Sequence, residues 1–531
     1  MADLLQQPTG VHVDLDGRSL TIDEAVKFAR EGGRAVLSAE AVRRVEATRA
    51  LKRDLIDREI PIYGVTTGFG DSAHRQIAPE KAARLQQNML RFLGAGTGQI
   101  ASPEVTRATM LYRANCLAKG NSGVRRELIE RLLTLLNHDI LPLIPERGSC
   151  GASGDLVPLS YVGRAMAGET EVLYEGEVRE ASEVLASLGL EPLAFEAKEG
   201  LAMTNGTSFM SAFATLAVHD ARELAFVTDL CTAMASQALM GNHGHFNAFL
   251  FEAKPHPGII ESAANVRMLL EGSALTHDAE EIVPLDGAGF RELTRSVQDK
   301  YSIRCAPHIT GALRDTLEWA EKWVEIEINS SDDNPLFDPG LGRVQSGGNF
   351  YGSHMAQAMD ALKVALANMC DLLDRQLELI VDEKFNAGLT PNLIPYFDST
   401  SPEAGLHHGF KGMQLSCSAL TAEALKLCNP ASIHSRSTEA HNQDKVSMGT
   451  IAARDARTIV EILQHIAAIH LIAIAQALDL RGVDQASPKA REAHALVRAR
   501  VAFLDADRRM DHDIASVVDL IRSGELSAVL A

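Results

Sequence analysis

The chain has 531 residues, 46% hydrophobic and 23% charged, a water-exposed globular balance with room for a large core and two or three domains. Its net charge of −19 argues against nucleic acid and anionic membrane surfaces, which would repel it, but not against a small anionic ligand held by one local arginine. Seven scattered cysteines without a CxxC pair fit free thiols in a reducing cytoplasm.

The N-terminal stretch MADLLQQPTGVHVDLDG lacks the basic and apolar regions of a targeting signal. Thr21-Ile22-Asp23-Glu24 is a capping box opening a helix that stops at Gly32-Gly33. A second helix is expected from about Ala39 to Glu59, closed by Pro61. Tyr63-Gly64-Val65-Thr66-Thr67-Gly68-Phe69-Gly70 then breaks all periodicity, as an irregular loop does. Helical pattern resumes around Pro79–Gly94 and Ser102–Lys119, and a short β element is expected at Thr170–Arg179, followed by a helix ending at Gly189. From Ser208 onward the pattern is long Ala- and Leu-rich helices, about 208–240, 309–329, 354–380, 413–428 and 446–480, whose small residues suit close bundle packing. Breaks rich in Gly, Pro and Asn separate them at 329–352 and 384–412. The longest apolar stretch, Ile466 to Leu480, is interrupted by His470 and Gln476 and suits a buried helix better than a membrane span. The expected fold is mainly α: a mixed, mostly helical N-terminal domain (1–200), a long-helix bundle (201–480) and a helical C-terminal extension (481–531).

The segment from Arg147 to Leu159 carries the most unusual chemistry. The Gly154 amide nitrogen has no neighbouring Cβ to crowd it, so in a tight turn it can attack the Ala152 carbonyl. Loss of one water closes an imidazolone ring, and loss of the Ser153 hydroxyl as a second water leaves an exocyclic methylidene. The product, 4-methylidene-imidazol-5-one (MIO), has an electron-poor carbon that no ordinary side chain offers. Ala-Ser-Gly alone says little, since a chain of this length should hold it by chance roughly 0.2–0.3 times. With its Gly151 and Asp155 flanks, however, the segment resembles the histidine/phenylalanine/tyrosine ammonia-lyase and aminomutase family, whose members use MIO.

Further segments carry the same resemblance across roughly residues 20–480. Tyr63 matches the family's catalytic base, and a phenol serves as base only if cations or hydrogen bonds lower its pKa. Leu201-Ala202-Met203-Thr204-Asn205-Gly206-Thr207 is similar to the LINGT loop, with Met203 for Leu and Thr204 for Ile, and implies that Asn205 bonds the electrophile and substrate. Gln298 to Pro307 looks like the carboxylate-binding element, with Gln298, Tyr301 and Arg304 as its contacts. An arginine fork can donate two parallel bonds to a carboxylate. His308 stands where the family usually has Gln. Asn334 and Phe350 are implied to line the pocket, with Asp332 in place of the usual Asn. Lys411, Glu439 and Asn442 fall on positions that surround substrate in the phenylalanine members, Glu439 as acceptor for the amine, with Ala440 in place of a common Gln.

Specificity in the family turns on the dipeptide matched by Phe92-Leu93. Histidine enzymes resemble Ser-His there and tyrosine enzymes usually carry His. A tyrosine hydroxyl buried against Phe92 would lose its water unpaired, at a cost of about 1–3 kcal/mol. The chain most resembles the phenylalanine members. No histidine set has ligand spacing for a metal, Ser153 lacks the G-x-S-x-G elbow, and neither a P-loop nor a dinucleotide fingerprint occurs. The resemblance thus implies a cytoplasmic enzyme, a homotetramer with shared sites. It releases ammonia from L-phenylalanine to give trans-cinnamate, with no metal or dissociable cofactor. The rivals are a phenylalanine 2,3-aminomutase, a tyrosine ammonia-lyase and a helical scaffold without chemistry. Ala152-Ser153-Gly154 together with Tyr63 and Arg304 argues against the last.

Overall fold

A computed structural model describes residues 10–530 except 279–284, 286, 288, 291, 294 and 295. Residues 1–9, on which the expectation about a targeting signal largely rests, lie outside the described residues. The chain groups into two units, Met1–His219 with Ala320–Asp360 and Pro430–Arg457, and Asp220–Trp319 with Ala361–Asn429 and Thr458–Ala531. This division is discontinuous in sequence, unlike the three contiguous segments read from the sequence.

The fold is mainly α. In the first unit, Thr21 Oγ1 accepts from Glu24 N (3.2 Å) while Glu24 Oε2 accepts from Thr21 N (3.0 Å), so two of the orphan donors at the start of helix Ile22–Glu31 are satisfied. The helix ends at Gly32, and the chain then enters a strand, Gly33–Leu37, that pairs in parallel with Val11–Leu15. The second helix spans Ala39–Asp57 and stops before Pro61, with Glu59 in the left-handed region. Through the Tyr63 segment the backbone is irregular, with a single 3₁₀ turn at Gly70–Ser72. A 3₁₀ turn at Pro79–Lys81 leads into helix Ala82–Phe92, which buries Gln86, Met89 and Leu90. The β element expected near Gly176 is a hairpin, Glu171–Tyr174 with Glu177–Glu180, and helix Ala181–Ser187 follows it. The break at 329–352 holds a second hairpin, Leu336–Asp338 with Arg343–Gln345.

From Ser208 onward the long helices are Ser208–Ala238, Ala306–Ile328, Ser353–Val381, Lys411–Leu427 and Gly449–Arg481. Among the described residues only Gly449–Arg481 is long and apolar enough to cross a membrane, and its most apolar window is 83% buried inside the protein. In the second unit, Gln376 Nε2 donates to Thr232 Oγ1 and to Ser302 O, both at 2.9 Å, so one buried amide ties three segments together. Helices Pro488–Arg498 and Asp511–Ser523 form the C-terminal part. All seven cysteines are free thiols.

Candidate active site

The site grows from the turn at Ala152-Ser153-Gly154, between strand Pro145–Arg147 and helix Leu156–Met166. Gly151, Ser153 and Gly154 have φ of 78°, 51° and 79°, and Gly151 bridges back to Gly154, which is the tight turn that cyclisation requires. For a serine this conformation costs on the order of 1–2 kcal/mol, so the surroundings must impose it. Position 154 admits only glycine: a Cβ there would fall 2.1 Å from Gly206 O. The Ser153 carbonyl accepts from Asn205 Nδ2 (3.0 Å) and Gly206 N (3.2 Å), and Ser153 Oγ accepts from Gln443 Nε2 (2.9 Å). Asn205 Oδ1 is buried without a partner, an acceptor left free beside the tripeptide. These features fit the MIO group.

A buried polar layer holds the turn. Asp155 N donates to Gly206 O (2.7 Å), and the Asp155 carboxylate accepts from Ser149 Oγ (2.8 Å), Met210 N (2.8 Å) and Thr450 Oγ1. The Met210 bond satisfies an orphan donor at the start of helix Ser208–Ala238. Burial pushes the Asp155 carboxyl up to about 6, against the pull of these hydrogen bonds. Arg113, fully buried, donates through Nη1 to Asn205 O (2.7 Å) and through Nη2 to Asp332 Oδ1 (2.7 Å). Lys198 Nζ reaches both oxygens of Asp333 (2.7 and 2.6 Å), and Asp333 Oδ1 accepts from Asn334 N (2.7 Å). Two buried ion pairs therefore set the positions of Asn205 and Asn334.

Tyr63 Oη accepts from Gly70 N at 3.1 Å. Burial raises the phenol's pKa and the Glu439 carboxylate raises it further, with the Gly70 N–H as the opposing influence. This direction is opposite to what a phenolic base requires: burial disfavours the phenolate, and the charge facing it is a carboxylate rather than a cation. Glu439 is itself shifted up by burial and by Asp71. Its carboxylate lies so close to Gly70 that a Cβ there would meet Oε2 at 1.8 Å, so a side chain at position 70 would part the Tyr63 loop from the 439 loop. Glu439, Ala440 and His441 have φ of 51°, 49° and 69°, three consecutive left-handed residues other than glycine.

Two cavities meet at this centre, and Tyr63, Ser153, Asn205 and Gln443 border both. One is a chamber of about 400 Å³ that also carries Asn334, Phe350, Asn442 and Lys445. The other is a narrow apolar cleft of about 20 Å³ between Phe69, Met89, Phe92, Leu93, Leu156 and Leu201, with Glu439 at its edge. Phe92 is 58% exposed and Leu93 only 7%, so the two members of the dipeptide play different parts. The structure thus brings together Tyr63, the tripeptide, Phe92, Leu93, Asn205, Asn334, Phe350, Glu439 and Asn442. Gln298, Tyr301, Arg304 and Lys411 belong to the second unit and line neither cavity. There the Arg304 guanidinium packs on the Tyr301 ring, 4.5 Å from its centroid, and Nε donates to Asp299 O (3.1 Å). Sequence reasoning missed Gln443, although it lies inside the matched Glu439–Asp444 segment, and it missed Met89, Leu156 and Leu201. A larger cavity of about 660 Å³, around His243, Arg267 and Asp278, holds none of these residues. Among the described residues no group of three or more His, Cys, Asp or Glu could hold a metal ion.

A family model described as aromatic amino acid lyase matches residues 20–499. The chain is 41% identical over 525 residues to the tyrosine ammonia-lyase of Cupriavidus metallidurans, covering 97% of each. It is 40% identical over 512 residues to the histidine ammonia-lyase of Gloeobacter violaceus, covering 96% of each. The crystal structure of tyrosine aminomutase from Streptomyces globisporus matches with a TM-score of 0.91 at 38% identity, covering 98% of both chains.

Proposed function

The chain belongs to the aromatic amino acid lyases, and from that premise we propose that it releases ammonia from L-phenylalanine to give trans-cinnamate. It is a carbon–nitrogen lyase of the MIO-dependent kind. MIO, formed autocatalytically from Ala152, Ser153 and Gly154 and needing no metal, supplies the electron-poor carbon that makes a poor leaving group depart. The remaining work falls to side chains. The substrate β-proton is barely acidic, and Tyr63 Oη is the base assigned to it, a role in which the bound substrate's ammonium must offset the Glu439 carboxylate and favour the phenolate. Glu439, whose carboxylate acts on the phenol, is the acceptor for the substrate amine and its proton. Asn205 orients the tripeptide through Nδ2 and offers its free Oδ1 to the substrate, while Asn334, Phe350 and Asn442 line the chamber. Gln298, Tyr301, Arg304 and Lys411 bind the carboxylate and the rest of the substrate in a homotetramer with shared sites. A cytoplasmic location goes with this reading.

What supports the phenylalanine assignment is the apolar wall beside Ser153, formed by Met89, Phe92, Leu93, Leu156 and Leu201 without an imidazole; the cleft of about 20 Å³ between them must widen to admit a ring. An unpaired para-hydroxyl there would be penalised by about 1–3 kcal/mol. A tyrosine substrate is the second reading, favoured by the 41% identity to a protein named tyrosine ammonia-lyase. Product analysis after separate incubation with L-phenylalanine, L-tyrosine and L-histidine decides. Cinnamate from phenylalanine supports the proposal, p-coumarate as the main product supports the second reading, and β-phenylalanine marks an aminomutase.

A further inference from the structure

Beneath the tripeptide, one hydroxyl stands between two carboxyl groups. Thr207 Oγ1 lies 2.7 Å from Glu327 Oε1 and 2.8 Å from Asp332 Oδ2. A threonine hydroxyl has one hydrogen to donate. If both acids were ionised, one of these contacts would set lone pair against lone pair at hydrogen-bond distance. One additional proton removes the conflict, and the surroundings decide where it goes. Asp332 Oδ1 accepts from Arg113 Nη2, and its Oδ2 also accepts from Thr207 N (2.8 Å), so protonating Asp332 would break a buried ion pair. The charged groups acting on Glu327 are the carboxylates Asp332 and Asp155, both of which favour its neutral form.

We propose that Glu327 is a neutral carboxylic acid in the resting protein and a positioning residue for the reactive turn. Its O–H donates to Thr207 Oγ1, whose O–H donates to Asp332 Oδ2. Asp332 holds Arg113, Arg113 Nη1 holds Asn205 O at 2.7 Å, and Asn205 Nδ2 holds Ser153 O at 3.0 Å. Glu327 is thereby linked to the tripeptide through a chain of directional contacts without touching substrate. Burial, Asp332 and Asp155 push its carboxyl up to about 7, against the Thr207 bond. Loss of the proton would make Thr207 choose between two anions and would loosen the hold on Asn205. The link to turnover rests on the function proposed above; the proton assignment does not.

Infrared spectroscopy at pH 6 on full-length protein carrying ¹³C-carboxyl glutamate tests the proton directly. The label separates Glu327 from Asp155. The expected result is an isotope-shifted protonated-carboxyl band in wild type that is missing in Glu327→Gln, and a spectrum without that band overturns the assignment. For positioning, Glu327→Gln should keep kcat within about threefold, since an amide N–H donates to Thr207 in the same direction, while Glu327→Ala should lower kcat by roughly tenfold or more at little-changed KM. If Glu327→Ala does not fold, Thr207→Val replaces it, with the same expectation. A folded variant of either kind with wild-type kcat overturns the positioning role, as does a folded Glu327→Gln without activity. If wild type turns over none of the amino acids, the proposed function fails while the infrared result still stands or falls by itself.

Discussion

Replacing Lys198 by Met should destabilise the protein strongly, and removing its partner's charge as well should recover much of the loss. Lys198 and Asp333 are both fully buried, and Nζ lies 2.6 and 2.7 Å from the two carboxylate oxygens. Burial lowers the lysine's pKa, and Asp333 is the chief influence holding the charge in place. Met preserves most of the stem's packing, so the change isolates the charge. What remains is a buried carboxylate whose Oδ1 keeps one donor, Asn334 N at 2.7 Å. An orphaned buried charge costs about 3–5 kcal/mol. At roughly 2–4 °C per kcal/mol, this corresponds to a fall in Tm of about 6 °C or more, read at a fixed scan rate because a chain this long need not unfold reversibly. Lys198→Met/Asp333→Asn should lie clearly above the single variant. The exposed pair Arg509–Asp511 supplies the control, since Arg509→Ala should shift Tm by little. Because Asp333 also fixes Asn334 at the chamber wall, KM for phenylalanine should rise more than kcat falls. A Lys198→Met protein as stable as wild type would mean that Asp333 does not depend on Lys198 for its charge.

Tyr63→Phe should cut turnover by at least roughly 10²–10⁴-fold while cinnamate affinity changes little, measured by steady-state kinetics and inhibitor binding. Near-normal turnover would assign the proton to another group. Phe92→His should shrink or invert the preference for phenylalanine over tyrosine by about 5–150-fold in the ratio of kcat/KM, the equivalent of about 1–3 kcal/mol. An unchanged ratio in folded protein would make Phe92 ordinary packing. Asp155 and Glu327 have folded pKa values raised from 3.8 to about 6 and from 4.5 to about 7, so the stability they contribute is fully present below the lower values and is lost as pH rises through the upper ones. Tm should therefore decline between about pH 4.5 and 7, and less steeply in Glu327→Gln; equal slopes would show that Glu327 does not titrate there.

Much of this architecture was legible because its signals are local. The capping box at Thr21 and the long Ala- and Leu-rich runs announce helices without reference to anything distant. The glycines around Tyr63 and the Gly151–Asp155 flanks announce backbone that no helix can use. What was not legible depends on contacts between remote segments. The strand Gly33–Leu37 is five residues long and is defined by its partner at Val11–Leu15. The pairs Arg113–Asp332 and Lys198–Asp333 join residues more than a hundred positions apart, so nothing local in the sequence announces either pairing. The apolar cleft draws on three helices and the Tyr63 loop, so Met89, Leu156 and Leu201 read as ordinary core until the fold places them beside Ser153. The direction of the Tyr63 shift was hidden for the same reason: it depends on burial and on Glu439, far along the chain.

Peptide mass spectrometry across Ser149–Asp155, on the same preparation whose turnover is measured, reads the cyclisation of the tripeptide itself. Active wild-type protein should give a fragment lighter by two waters, and folded Ser153→Ala a full-mass fragment with nearly all turnover lost. An unmodified Ala152-Ser153-Gly154 in protein that turns over its amino acid would contradict the MIO mechanism.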